Sequence, residues 1–151
     1  MLEQRYGPGF AEHRRAMFEE AGLPYAGTLE KVPNSRRALM VAELARDRGR
    51  LEELHPRLFD AYWARGRDIG DERVLIEEGR AAGLDQADIV DAMQNDAYLQ
   101  VVQAATEAAI EIGAGGVPAW VIDRRALVPG AQPHDVFERM LERLGHLPRQ
   151  N

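Results

Sequence analysis

Between residues 8 and 113 apolar side chains recur at steps of three and four, the signature of helices that bury one face. Start and stop signals divide this stretch. The first segment predicts a helix from Pro8 to Ala21, with Phe10, Met17, Phe18 and Ala21 as its apolar stripe and Gly22 as its stop. After a loop holding Pro24, Gly27 and Pro33, Asn34 or Ser35 caps a second helix, whose Leu39, Ala42 and Ala45 face inward before Gly49. Leu51, Leu54, Leu58 and Tyr62 mark a third, and Pro56, which has no amide hydrogen to give, should kink it or delay its start. Asp71 caps a short helix using Val74, Leu75, Glu78 and Ala82, stopped by Gly83, and Asp85 caps another carrying Ile89 and Met93. Asp96 opens a longer helix with Tyr98, Val101, Val102, Ala105, Ala109 and Ile112 in register, ending at the cluster Gly113-Ala114-Gly115-Gly116.

The rhythm then changes. Ala119 to Ile122 and Ala126 to Val128 are short apolar runs rich in β-formers around the polar Asp123-Arg124-Arg125, which predicts a β-hairpin. Pro133 starts a final helix with the stripe Val136, Phe137, Met140, Leu141 and Leu144, stopped by Gly145. The expected fold class is therefore mostly α with a small β-hairpin, an α+β arrangement. A helical region spans 1–113, a β-β-α portion 114–147, and a loose polar tail 148–151.

Composition narrows the chemistry. The 151 residues are one domain's worth of chain, with 45% hydrophobic and 29% charged residues and no apolar run long enough to cross a bilayer. The charged opening Met1-Leu2-Glu3-Gln4-Arg5 does not read as a secretory leader, so the expected location is cytoplasmic. Net charge is −6 and Lys31 is the only lysine, which leaves no basic field for a phosphate backbone and makes nucleic acid an unsuitable partner. His13, His55, His134 and His146 lie far apart without ligand spacing, and Asp85, Asp88 and Asp91 read as a solvated helix face, so neither metal nor cofactor is expected. Zero cysteines removes disulfides, thiolate ligands and a redox dithiol together, because each needs a sulfur that can become a thiolate. No catalytic residue is assigned.

One stretch carries a resemblance. Gly116-Val117-Pro118-Ala119-Trp120-Val121-Ile122-Asp123 followed by Val128-Pro129-Gly130-Ala131-Gln132-Pro133 is similar to the C-terminal half of thioredoxin-like proteins of the DsbA family, in particular its cytoplasmic, FrnE-like branch. That branch also holds 2-hydroxychromene-2-carboxylate isomerases and kappa-class glutathione transferases. Ala61-Tyr62-Trp63 and Arg67-Asp68-Ile69-Gly70-Asp71 resemble part of the helical domain that such proteins insert before the proline-bearing strand. The resemblance implies a truncated thioredoxin-like fold, a helical insertion domain plus a cis-Pro β-β-α unit, without the first strands and Cys-x-x-Cys helix of the family. It also implies a cis Val117-Pro118 bond, although an X-Pro bond without context is usually trans. Arg124-Arg125 stand where the family often has glycine in the turn.

Taken with the missing cysteines, the resemblance implies a non-redox binding module in which Gly116, Val117, Pro118 and Trp120 form a groove for an extended peptide or protein partner. Trp120 and Trp63 could each line a groove, but a large aromatic among apolar neighbours reads first as core. One alternative is a thiol-disulfide oxidoreductase whose dithiol half lies on a separate polypeptide. Another is a glutathione-dependent isomerase or transferase, against which the single serine, Ser35, reads as a helix cap. The hairpin edge at Ala119 to Ile122 is expected to meet a second copy and form a homodimer.

Overall fold

The computed structural model describes residues 9–27 and 32–146, and the expectations for Pro8, the side chain of Phe10 and the 148–151 tail lie outside the described residues. The elements follow as α1 (Phe10–Glu20), α2 (Arg36–Asp47), α3 (Leu51–Phe59), a π-turn (Asp60–Ala64), α4 (Glu72–Ala81), α5 (Gln86–Ala92), α6 (Asp96–Glu111), β1 (Ala119–Ile122), β2 (Ala126–Pro129) and α7 (His134–Arg143). Two compact units result, Met1–Val102 and Gln103–Asn151.

The core lies in the first unit. Ala38, Val41, Leu44 and Ala45 of α2 meet Leu54 and Leu58 of α3, Leu75 of α4 with Ala82 and Leu84 just beyond it, and Ile89 and Ala92 of α5. Leu51, Ile69, Ile76, Val90 and Tyr98 pack around this cluster. The inward face of α2 is thus Ala38, Val41, Ala42 and Ala45, and the expectation for Leu39 is corrected. Leu39 is 48% exposed, because it lies one residue, about 100°, off the stripe that the core selects. In α1 the less exposed positions are Ala11, Arg14 and Phe18, while Met17 and Ala21 are exposed, so its buried face is turned from the expected one.

Capping follows side-chain chemistry at the short helices. Asp71 accepts from the Arg73 amide and Asp85 from the Ala87 amide, each at 2.7 Å. Ser35 occupies the cap position of α2 without a side-chain cap bond, and the Arg36 amide donates instead to Asn34 Oδ1 at 3.0 Å. Asn95 serves α6 in the same way, accepting from the Ala97 amide at 2.9 Å. Pro56 sits inside α3 without delaying its start, which lies at Leu51, and the helix widens into the π-turn soon after it. The three aspartates on the α5 side are engaged separately: Asp85 in its cap, Asp88 with Arg48 at 2.9 Å and Asp91 with the Asn95 side chain at 3.3 Å.

In the second unit β1 and β2 form an antiparallel pair with Trp120 opposite Val128 and Ile122 opposite Ala126. Burial is light there, and Val128, 4% exposed, is its buried hydrophobic residue among those described. Among the described residues no helix is long and apolar enough to cross a membrane.

Close packing of α4 on α5 rests on a missing side chain. A Cβ at Gly79 would stand 2.6 Å from Ile89 Cδ1, and Ile89 itself is fully buried. Gly79→Ala is expected to lower stability by about 1–3 kcal/mol, the usual cost of overpacking. Gly115→Ala, where nothing lies within 4 Å, should change it far less. Urea unfolding of the two variants checks the contrast.

Candidate functional site

The four residues expected to bind substrate sit at the entry to the hairpin. The Val117-Pro118 peptide is cis. Val117 is 97% exposed, with Gly116 and Pro118 exposed on either side of it. At Gly115 and Gly116 no atom lies within 4 Å of where a Cβ would be, so the approach to Val117 is open.

The far end of the hairpin returns to hold this entry. Gly130, at φ 75°, donates its amide to the Pro118 carbonyl at 2.8 Å, a backbone conformation that suits glycine. Gln132 Nε2 donates to the Pro129 carbonyl at 2.7 Å and closes the turn before α7. Gly130 and Gln132 were not among the expected site residues, although both stand in the Val128–Pro133 motif. Gly130 holds Pro118 from just beyond β2, and Gln132 holds the turn that places Gly130.

Trp120 is 50% exposed, so the reading of it as a core residue is corrected. The sheet has two strands among the described residues, so only part of the indole finds cover. Phe137 of α7 supplies an edge-to-face contact at 5.4 Å between ring centroids, and Val128 faces Trp120 across the strands. Val121, one position on, is 49% exposed.

At the hairpin tip Asp123 and Arg124 both have φ 55°, and the Arg125 amide donates to the Ile122 carbonyl at 2.9 Å. Asp123 Oδ2 lies 2.6 Å from His146 Nε2, which ties the tip to the end of α7. On α7 the Arg139 side chain, by its hydrogen bond, holds the Asp135 carboxyl below the usual carboxylate range.

The first unit carries its own aromatic and charged cluster. Phe18 stacks on Tyr25 at 4.8 Å and leans on Trp63 at 5.3 Å, while the Arg14 guanidinium lies 5.5 Å from the Trp63 ring. Tyr62 meets Trp63 edge-on at 4.5 Å, and burial pushes its phenol up. Trp63 is therefore half-buried among aromatics, partly as expected. Phe18, Leu23, Pro24, Phe59 and Trp63 border an open apolar groove of about 440 Å³.

On α4 Glu78 is 2% exposed and meets Arg65 at 2.8 Å, Arg67 at 3.1 Å and Arg57 at 3.7 Å. The hydrogen bond to Glu78 raises Arg65, that to Glu77 raises Arg67, and Arg67 in turn lowers the Glu77 carboxyl. Sequence reading put Glu78 on the apolar stripe but did not find its cations. A carboxylate amid Val74, Leu75 and Ala82 was the available signal.

A helical region leading to a strand that opens on Val-Pro, a hairpin and a closing helix defines the proline-bearing half of a thioredoxin-like protein. The chain belongs to the DSBA-like thioredoxin domain family, whose model matches residues 11–142. Its fold resembles a probable DsbA oxidoreductase from Streptomyces coelicolor, with a TM-score of 0.82 and 28% identity over 98% of this chain and 64% of that one. The uncharacterized protein YwbO of Bacillus subtilis strain 168 is 31% identical over 98 residues, 64% of this chain and 48% of that protein. The chain thus spans about half the length of this curated relative and under two thirds of the solved neighbour.

The left-handed conformation of Arg124 generates a test. A non-glycine residue there is disfavoured by roughly 1–2 kcal/mol, partly offset on substitution by glycine's larger entropy loss. Arg124→Gly is expected to leave stability unchanged or raise it by up to about 1 kcal/mol. Arg124→Val should lower it, because a β-branched side chain is most crowded at positive φ. Thermal unfolding of both variants reads the sign.

Proposed function

We propose that this chain carries the polypeptide-binding portion of a DsbA-type protein and holds an extended chain against the Gly116-Val117-Pro118 entry, without thiol chemistry from its own residues. The observation that carries the reading is Val117, an apolar residue 97% exposed two positions before β1. Fully burying such a side chain contributes roughly 1.5–3 kcal/mol. β1 pairs on one side with β2, and among the described residues its other edge is unpaired, so an incoming strand finds backbone groups beside that apolar contact. Trp120, steadied by Phe137, offers a half-exposed ring on the same strand. A second copy of the chain is one polypeptide suited to this edge, which would make a two-fold dimer.

A second reading is favoured by the solved neighbour, which is described as a probable DsbA oxidoreductase and is matched over 64% of its length. In this reading the groove serves disulfide exchange, with the dithiol supplied by polypeptide outside these 151 residues. Exchange needs a thiolate to attack, and none of the 151 residues is cysteine. Ser35, the serine on which a glutathione-dependent activity would have to draw, is exposed at the start of α2.

Titration of the isotope-labelled chain with an extended apolar peptide should shift amide resonances from Gly115 to Ile122, and Val117→Glu should weaken binding about ten-fold, or roughly 1.4 kcal/mol. Shifts confined to other regions would refute the groove. Insulin reduction is expected to be nil with the chain alone. Turnover restored by adding a Cys-x-x-Cys polypeptide would favour the second reading.

A further inference from the structure

The π-turn at Asp60–Ala64 is a local departure from the α-helical ladder, and such turns need compensation because their hydrogen bonding is less favourable. Here the compensation is visible. The Arg65 amide donates to the Asp60 carbonyl at 3.0 Å, five residues back, where a continuing α-helix would have used Ala61. The Ala61 carbonyl instead takes the Arg67 amide at 2.8 Å, across Gly66 at φ 62°. The Arg65 side chain then reaches both ways, with Nε 2.8 Å from Asp60 Oδ2 and Nη1 2.8 Å from the buried Glu78 Oε1.

We propose that Arg65 is a latch between Asp60 and Glu78 that holds the π-turn and thereby positions Trp63 as a wall of the apolar groove. Three things converge on that assignment. One guanidinium joins the first residue of the turn to a carboxylate that is 2% exposed and fixed on α4, so the turn is referred to the core rather than to solvent. The turn carries Trp63, whose carbonyl accepts the Ala26 amide at 2.8 Å and whose ring meets Phe18 and Arg14. Phe59, just before the widened turn, and Trp63, within it, border the same groove, and Phe59 is 53% exposed at its lip. Return of the turn to α geometry would rotate Trp63 away from Phe18 and remove that wall. The inference stands apart from the peptide-binding reading, since it concerns the first unit and needs no ligand.

The test uses tryptophan emission. The chain has two tryptophans, so Trp120→Phe leaves Trp63 as the sole reporter. In that background Arg65→Gln is expected to red-shift the emission and raise acrylamide quenching about two-fold as the local structure opens, with far-UV circular dichroism retained. Arg57→Gln, which removes the longest of the contacts to Glu78 at 3.7 Å, should leave the emission unchanged. Asp60→Asn cuts the other arm of the latch while leaving Glu78 its three arginines, and should move Trp63 in the same direction as Arg65→Gln. Unchanged Trp63 emission in a folded Arg65→Gln variant overturns the proposal, as does an equal change in Arg57→Gln. Should Arg65→Gln fail to fold, unchanged emission in Asp60→Asn overturns it alone.

Discussion

A carboxylate buried in a helical core governs much of what surrounds it. Glu78 is 2% exposed, and a charge in that position is tolerated only when opposite charge and hydrogen bonds replace the lost water. Arg57, Arg65 and Arg67 do so from α3 and from the loop after the π-turn. Those arginines stay 27–45% exposed, so they keep part of their own hydration while serving the buried group. Removing a partner from a buried pair typically costs roughly 3–5 kcal/mol, and shared coordination by partly hydrated arginines moves each individual loss below that range. The neighbouring position obeys the opposite logic. Gly79 brings α4 and α5 together by having no side chain, so adjacent residues fix one helix by charge and by absence.

The two units are built on different terms. The buried cluster belongs to α2 through α5 and the segments beside them, where large apolar side chains reach full burial. Gln103–Asn151 has Val128 buried, with Val117 almost fully exposed and Trp120 and Val121 about half exposed among its described residues. A two-stranded hairpin gains little from its own contacts, so its order rests on the Gly130 to Pro118 bond, the Trp120–Phe137 contact and the Asp123–His146 tie. Among the described residues those same contacts leave Val117 and the outer edge of β1 unengaged. The residues least used for stability are thus the ones that the proposed function needs.

Helices were legible in the sequence because their periodicity, caps and stops are local. Asp71 and Asp85 cap where their spacing says, and the hairpin strands fall on the runs read as β. What failed was the choice of face where two stripes compete. Leu39 is as apolar as its neighbours, and only the positions of α3, α4 and α5 decide that Ala38 and Val41 go inward. Trp120 failed for the related reason that a strand's aromatic is buried only to the extent that other elements cover it. The π-turn was not legible, since the Arg65 that follows it is held by a side chain thirteen positions further on, and a sequence window sees Glu78 without its arginines. The residues proposed for binding rest on a motif, and the contacts that place them come from Gly130 and Phe137, which the motif or the helix stripe contained without assigning them a role.

Family membership and chemistry separate in this chain. The DSBA-like match over residues 11–142 speaks to how the polypeptide is arranged, while dithiol exchange depends on atoms that these residues do not contain. A proline-bearing strand and a reactive cysteine do different physical work in such a fold. The first presents backbone and an apolar contact to an extended chain, and the second supplies the nucleophile. The first kind of work survives removal of the second, since a strand edge and an exposed valine require no thiolate to bind. On the proposed reading, recognition is the work of the residues from Gly115 to Ile122, and any thiol chemistry has to draw its sulfur from polypeptide other than these 151 residues.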